Sequence, residues 1–285
     1  MLSESCFRRV DESVSDVDRL LCETPLAAVG EFRCPPTHPR FGNTGPIRNY
    51  CFVFPRTSSV IEHDDGERFV GDQTRASLYN AGQQYQRACV SPEGDWSDYF
   101  VVNERVLREA VASRRGRHAD AERRLFQRTW APVPPDLYLR QRRVFRASRS
   151  ACIDAFEMES SVMGLLDDVL ECEGATILAG AAAQASLVER TQKLLARRFA
   201  DPLTLHDLAA ELAVSPFHLC RVFRRSTGQS LHQYREQLRL RAALGRLEGG
   251  HPLTDIALDL GYSSHSHFTA AFRRAFGVAP SRARA

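Results

Sequence analysis

The sequence lacks the features that would carry it into or across a membrane. No stretch of its 285 residues approaches eighteen uninterrupted apolar side chains, which argues against a transmembrane helix. The opening MLSESCFRRVDESVSDVDRL is acidic and serine-rich and has no apolar h-region, so a soluble, non-exported, cytoplasmic protein is expected. Cysteine occurs eight times but never as C-x-x-C. Cys6, Cys22, Cys34, Cys51, Cys89, Cys152, Cys172 and Cys220 are scattered, which predicts reduced thiols rather than disulfides. Cys34 and His38 in RCPPTHPRF come nearest to a ligand pair, yet a Pro-Pro step separates them and no second pair is evident. Neither a metal nor another cofactor is expected. Hydrophobic residues at 43% and charged residues at 26% exclude wholesale disorder.

A length about twice that of a typical domain predicts two domains. Charge separates them. From Leu187 to the end there are 15 Arg and Lys against 8 Asp and Glu, a net +7, whereas residues 1–186 carry 23 against 27, a net −4. Clustered positive charge on a small domain suits a phosphate backbone, although a solvated basic face would look the same by charge alone.

The N-terminal half shows short apolar runs. Residues 1–30 are predicted to be a loose leader holding at most one short helix. Across 31–103 the runs YCFVF, SSVIE, ERFVG, ASLYNAG and DYFVV, punctuated by HDDG, NAG and PEGD, predict strands of a small sandwich or barrel. Phe54, Tyr79, Tyr85, Trp96 and Tyr99 are either the lining of an effector pocket or the aromatic core of that domain. Helical patterns occupy 104–173, interrupted by the proline-rich WAPVPPDLY. Within them Asp154 and Glu157 have capping-box spacing, and Phe156, Met163 and Leu170 recur every seventh residue. That stripe packs against its own domain or forms the seam of a homodimer. The small, uncharged GATILAGAAAQAS at 174–186 suits a linker between domains, and part of it can be helical.

The most informative part, 187–285, contains an internal repeat. DLAAELAVS at 207–215 matches DIALDLGYS at 255–263, and FRRSTG at 223–228 matches FRRAFG at 272–277. Each copy reads as a short helix, a tight turn and a second helix, spanning 205–228 and 253–277. In the first, Ser215 and Pro216 open the second helix and Gly228 ends it. In the second, Gly261 supplies the turn, Ser264 caps and Gly277 stops the helix. If Leu219, Val222 and Phe223 point inward, then Phe217, Cys220, Arg221 and Arg224 form an outward stripe, matched by Ser266, Thr269, Ala270 and Arg273. Arg225 and Arg274 flank these stripes. Arginines and small polar residues on one face suit insertion into a groove of double-stranded DNA. Between the copies, SLHQYREQLRLRAALGRLEGG predicts one continuous helix of about 27 Å, long enough to hold two recognition helices about one turn of DNA apart.

These residues closely resemble the C-terminal domain of the AraC/XylS family of bacterial transcription regulators, over essentially all of 187–285. The resemblance implies seven helices with two helix-turn-helix motifs joined by a long helix. It places Phe217, Cys220 and Arg221 at base-reading positions of the first recognition helix and His265, Ser266, His267 and Ala270 in the second. Family members often carry Arg where this chain has Ala270, so the second helix is expected mainly to grip phosphates. The N-terminal half is similar to the cupin-like sensing half of the same family, through RCPPTHPRFGNTGPI, FVFPRTSSVIEHDDG and SLYNAGQQYQRACVSPEGDWSDYFVV. The expected architecture is therefore α+β multidomain: a cupin-like small β-barrel with a helical dimerisation segment, then an all-α domain with two helix-turn-helix motifs. The histidines of 1–186, His38, His63 and His118, lack the close pair of catalytic cupins, which argues against a metal oxygenase. The expected function is a ligand-responsive activator, acting as a homodimer through RNA polymerase and not as an enzyme. One alternative is a constitutive DNA-binding dimer without effector. The other is a DNA-targeted enzyme such as a repair methyltransferase, for which Cys6, Cys22, Cys34 and Cys51 lack compact ligand spacing.

Overall fold

The computed structural model describes residues 8–9, 16–115, 124–150, 152–174 and 182–284. The chain divides into two compact units, 1–175 and 176–285.

The first unit is built on β-sheet. Its strands are β1 (Arg8–Arg9), β2 (Asp18–Glu23), β3 (Ala27–Cys34), β4 (Asn43–Thr44), β5 (Tyr50–Pro55), β6 (Ser59–His63), β7 (Arg68–Gly71), β8 (Arg75–Tyr79), β9 (Tyr85–Cys89), β10 (Asp95–Val102) and β11 (Trp130–Pro132). They form a seven-stranded sheet ordered β1-β2-β3-β10-β5-β8-β11 and a four-stranded sheet ordered β4-β9-β6-β7. The strand pairings are antiparallel, and among the described residues the strands do not close into the expected barrel. Helices α1 (Glu104–Arg115), α2 (Pro135–Arg149) and α3 (Ala155–Gly174) complete the unit.

Successive side chains of a strand point to opposite faces, and this decides which aromatic residues can meet a ligand. On β5, Cys51 and Val53 face the cavity between the sheets. Phe52 and Phe54 therefore face the other way, where they cluster with Phe100, ring centroids 5.3 to 6.0 Å apart. On β10 the same alternation turns Asp98 outward to pair with Arg142 of α2, both buried.

Several sequence expectations are corrected here. The supposed leader supplies β2 and the start of β3, joined by a turn in which the Thr24 amide donates to the Ala27 carbonyl at 2.8 Å. Its acidic, serine-rich composition hid the strands. The segment 104–173 is not wholly helical, because WAP pairs as β11 with β8. Helix α4 (Ala182–Arg198) begins inside the stretch assigned as linker, while 175–181 lie outside the described residues. The heptad stripe on α3 is not one surface: Phe156 is 81% exposed, Met163 is half-buried, and Leu170 is buried within the unit beside Val169 and Leu166. A helix advances 3.6 residues per turn, so strict sevenfold spacing drifts across the face.

The second unit is all helical. After α4 come α5 (Leu205–Glu211), α6 (Pro216–Thr227), α7 (Leu231–Glu248), α8 (Leu253–Asp259), α9 (His265–Phe276) and α10 (Pro280–Ala283), seven helices among the described residues. Leu208, Ala209 and Leu212 of the first pair pack with Leu219, Val222 and Phe223 and with Tyr234 and Leu238 of α7. No helix among the described residues is long and apolar enough to cross a membrane.

Candidate nucleic-acid interface

Each helix pair is set up by local chemistry. Thr204 caps α5 in a capping box: its hydroxyl accepts from the Asp207 amide at 3.2 Å, while the Asp207 carboxylate accepts from the Thr204 amide at 3.0 Å. The Thr204 hydroxyl bond to that carboxylate, seconded by the backbone bond, holds Asp207 below the usual carboxylate range. The chain then turns sharply at Ala213, whose φ is 58°, and at the matching Gly261, whose φ is 77°. The hydrogen bonds repeat across the two turns. Ala213 donates to Ala210 and Val214 to Ala209; Gly261 donates to Leu258 and Tyr262 to Ala257. Ala209 and Ala257 are both buried, and their small side chains let the paired helices approach closely.

Ser215 opens α6 by accepting from the His218 amide at 3.2 Å, with Pro216 in the first turn, and Gly228 closes it in the left-handed conformation. Ser264 and Gly277 do the same for α9, Ser264 accepting from the His267 amide at 3.1 Å. Leu219, Val222 and Phe223 of α6 are buried, as are Phe268, Ala271, Phe272 and Phe276 of α9. The opposite faces are left to solvent. On α6 these are Phe217 (75% exposed), Cys220, Arg221, Arg224 and Arg225. On α9 they are His265, Ser266, Ala270, Arg273 and Arg274, which with half-buried Thr269 line one shallow groove. His267 stands apart from that groove: its ring meets Tyr262 edge-on at 5.6 Å, and its Nδ1 lies 3.3 Å from the Ser263 hydroxyl.

The arginines of this unit fall into two groups. Arg198 pairs with Asp201 and Glu211, Arg246 with Asp259, and Arg235 and Arg239 donate to backbone carbonyls. Among the described residues Arg221, Arg224, Arg225, Arg273 and Arg274 make no ion pair or hydrogen bond. A guanidinium with no internal partner offers five donors to an incoming phosphate or base edge.

The first unit holds a cavity of about 700 Å³ between its two sheets. Of the five aromatic residues singled out from sequence, Tyr79, Tyr85 and Tyr99 line it. Phe54 lies on the opposite face of the sheet, and Trp96 is held between Arg33 and Arg56 with its indole N–H donating to Glu31 at 2.8 Å. The cavity residues missed from sequence include Asp18, Arg40, Ile61 and Asp95. Gly30 makes room for Tyr99: a Cβ there would sit 2.1 Å from the phenol ring, which crosses the strand to donate to Asp18 at 2.7 Å. Burial raises the Asp18 carboxyl despite that bond. Burial likewise pushes the Cys51 thiol up to about 12, so at neutral pH it is a packed thiol and not a nucleophile. Among the described residues no cluster of His, Cys, Asp or Glu could hold a metal. His38 bonds Asp16 at 2.8 Å, and Cys34 is buried.

A family model described as a helix-turn-helix domain matches residues 208–285. The Msm operon regulatory protein of Streptococcus mutans is 30% identical over 98 residues, 34% of this chain, and the chain spans only 35% of its length. The bifunctional transcriptional activator/DNA repair enzyme AdaA of Bacillus subtilis is 31% identical over 98 residues, 34% of this chain and 46% of that protein. The regulatory protein SoxS of Salmonella typhimurium is 41% identical over 81 residues, 28% of this chain and 76% of its own. On the match to most of SoxS and on the doubled helix-turn-helix, the chain belongs to the AraC/XylS family of DNA-binding transcription regulators.

Proposed function

We propose that the chain is a cytoplasmic, ligand-responsive activator that reads two successive major grooves with α6 and α9. The observation that carries this is the presence of five internally unpartnered arginines on the outward faces of two helices joined by one rigid connector. That connector, α7, has eighteen residues and is capped by Ser230 and Gln233, so it extends about 27 Å at 1.5 Å per residue. Successive major grooves on one face of a duplex lie about 34 Å apart, a separation such a strut can serve. In this reading Phe217, Cys220 and Arg221 read bases, with Ser215 and Pro216 setting the entry of α6. Arg224, Arg225, Arg273 and Arg274 grip phosphate. His265, Ser266, Thr269 and Ala270 face the second major groove of the DNA, with Ser264 and His267 at the entry of α9.

The cavity between the sheets is the proposed effector site. Its lining combines apolar and aromatic residues, among them Ile61, Tyr79 and Tyr85, with the charged Asp18, Arg40 and Asp95, which suits a small amphipathic molecule. Phe156, exposed on α3, is the proposed anchor of a homodimer, and RNA polymerase the proposed partner in activation. The chemistry is recognition, with no bond made or broken.

The test is selection of bound duplexes from a random pool with the full chain, repeated with candidate metabolites. A two-part consensus about one helical turn apart, whose occupancy a metabolite changes, is the expected result. A one-part consensus would sink the two-groove reading, and indifference to every metabolite would favour a constitutive binder. Phe156→Arg should shift sedimentation from dimer to monomer; an unchanged sedimentation coefficient would remove α3 from the interface.

A further inference from the structure

The turn that follows α4 is held from two sides. From α7, Arg235 donates to the Phe199 carbonyl at 2.9 Å, to the Leu203 carbonyl at 2.7 Å and to the Asp201 carbonyl. One turn further along α7, Arg239 donates to the same Phe199 carbonyl at 2.6 Å. From the second helix-turn-helix unit, Gly261 is pressed against this turn so closely that a Cβ on it would lie 2.2 Å from the Ala200 carbonyl oxygen and 2.8 Å from the Arg239 guanidinium. The next residue, Tyr262, has its ring 5.7 Å from that guanidinium, and its hydroxyl donates to Glu236 of α7 at 3.2 Å. Tyr262 in turn packs on Phe268 and His267 of α9. The end of α4 belongs to the first helix-turn-helix core, since Leu195 and Phe199 pack with Leu208, Val222 and Phe223. Three elements therefore meet at Arg239: the support of the first recognition helix, the connector, and the turn of the second unit.

The connector alone does not fix the spacing of two recognition helices, because each helix pair can pivot about its own loop. A bridge across the loops removes that freedom. We propose that Arg239 is a positioning residue that locks the second helix-turn-helix unit to the support of the first, and so determines which half-site spacing the protein accepts. A guanidinium suits this place because its planar fork can hold a carbonyl on one side while its face or edge meets the Tyr262 ring on the other. The proposal rests on the two-groove reading above.

The test uses the full chain, a duplex selected by that chain from a random pool, and the same duplex with one base pair inserted or removed between its two halves. Each step moves the second half-site by about 3.4 Å and turns it by about 35°. For the wild type, affinity should fall about tenfold or more on either altered duplex. Arg239→Met keeps the stem but removes the donors, and its penalty for altered spacing should shrink to about threefold or less, while Arg239→Lys, which restores one donor, should fall between. A merely structural role would weaken binding by one factor on all three duplexes and leave the ratio as it was. That ratio, unchanged in Arg239→Lys or in Arg239→Met where it melts cooperatively, overturns the positioning role while leaving the two-groove reading intact. A wild type indifferent to spacing overturns the two-groove reading itself, and the proposal with it.

Discussion

In the first helix-turn-helix unit the turn is made by an alanine and the outward helix carries Arg221; in the second the turn is made by a glycine and the matching position carries Ala270. The backbones repeat hydrogen bond for hydrogen bond, so these differences report surroundings and task and not fold. Ala213 is exposed, and its side chain meets solvent. Gly261 has Ala200 and Arg239 against it. Likewise Arg221 places a permanent bidentate donor on its stripe where Ala270 offers a methyl group, which can touch a thymine methyl but makes no hydrogen bond. In the proposed reading one copy of the repeat carries the stronger base-reading chemistry, while the other carries the tighter internal joint.

The largest effect expected from this contrast is at Gly261. A side chain there would adopt a left-handed φ, which costs roughly 1–2 kcal/mol for an L-residue, and would also have to displace backbone 2.2 Å away. Gly261→Ala should therefore lower the stability of the helical unit by about 3 kcal/mol, read from urea denaturation followed by the helical circular dichroism signal. A loss under about 1 kcal/mol would mean that the turn after α4 yields easily, and the contrast between the two turns would lose its physical basis.

The second effect concerns the stripes. Arg221→Ala should cost about 1–3 kcal/mol and relax sequence preference at one half of the selected site only. Arg273→Ala should weaken all sequences alike and flatten the dependence on salt by about one phosphate contact. Binding-site selection with both variants decides. An unchanged consensus for Arg221→Ala, or an altered one for Arg273→Ala, would exchange the proposed reading and gripping roles.

How much of this was legible in sequence follows from the range of the interactions. The helix pairs were readable because their signals are local: Ser215-Pro216, Ser230 with Gln233, Ser264, Gly228 and Gly277 each act within a few residues of chain, and the repeat marks them twice. The joint at Arg239 was not readable, since it couples Phe199, Ala200, Arg239 and Gly261 through contacts up to 61 residues apart in sequence. In the first unit the runs around Phe54 and Tyr79 identified strands, but not which face met the cavity. Register decides that, and the pairing of Tyr99 with Gly30 and Val53 is set by partners far along the chain. The strand β2 was lost for a different reason: its alternation is weak, with Leu21 and Cys22 buried in succession at a register shift between Leu20 and Cys22. The fate of the heptad on α3 was ambiguous from spacing, because a buried Leu170 and an exposed Phe156 satisfy the same period.

The smallest effect is the mirror of the first. Ala213 holds φ at 58° without the contacts that make glycine obligatory at Gly261, so it bears the conformational cost of the left-handed region with nothing gained from its methyl group. Replacing it by glycine removes that cost of roughly 1–2 kcal/mol but adds about 0.5–1 kcal/mol of unfolded-chain entropy. Ala213→Gly should thus stabilise the helical unit by about 0.5–1 kcal/mol and leave DNA affinity unchanged, because the turn carries none of the outward side chains. Urea denaturation and a binding isotherm on the selected duplex check both halves. Lower stability would show that the alanine restricts the unfolded chain more than it strains the native turn. Weaker binding at equal stability would show that the rigidity of this turn helps to place α6, and that the two turns differ less in task than their contacts imply.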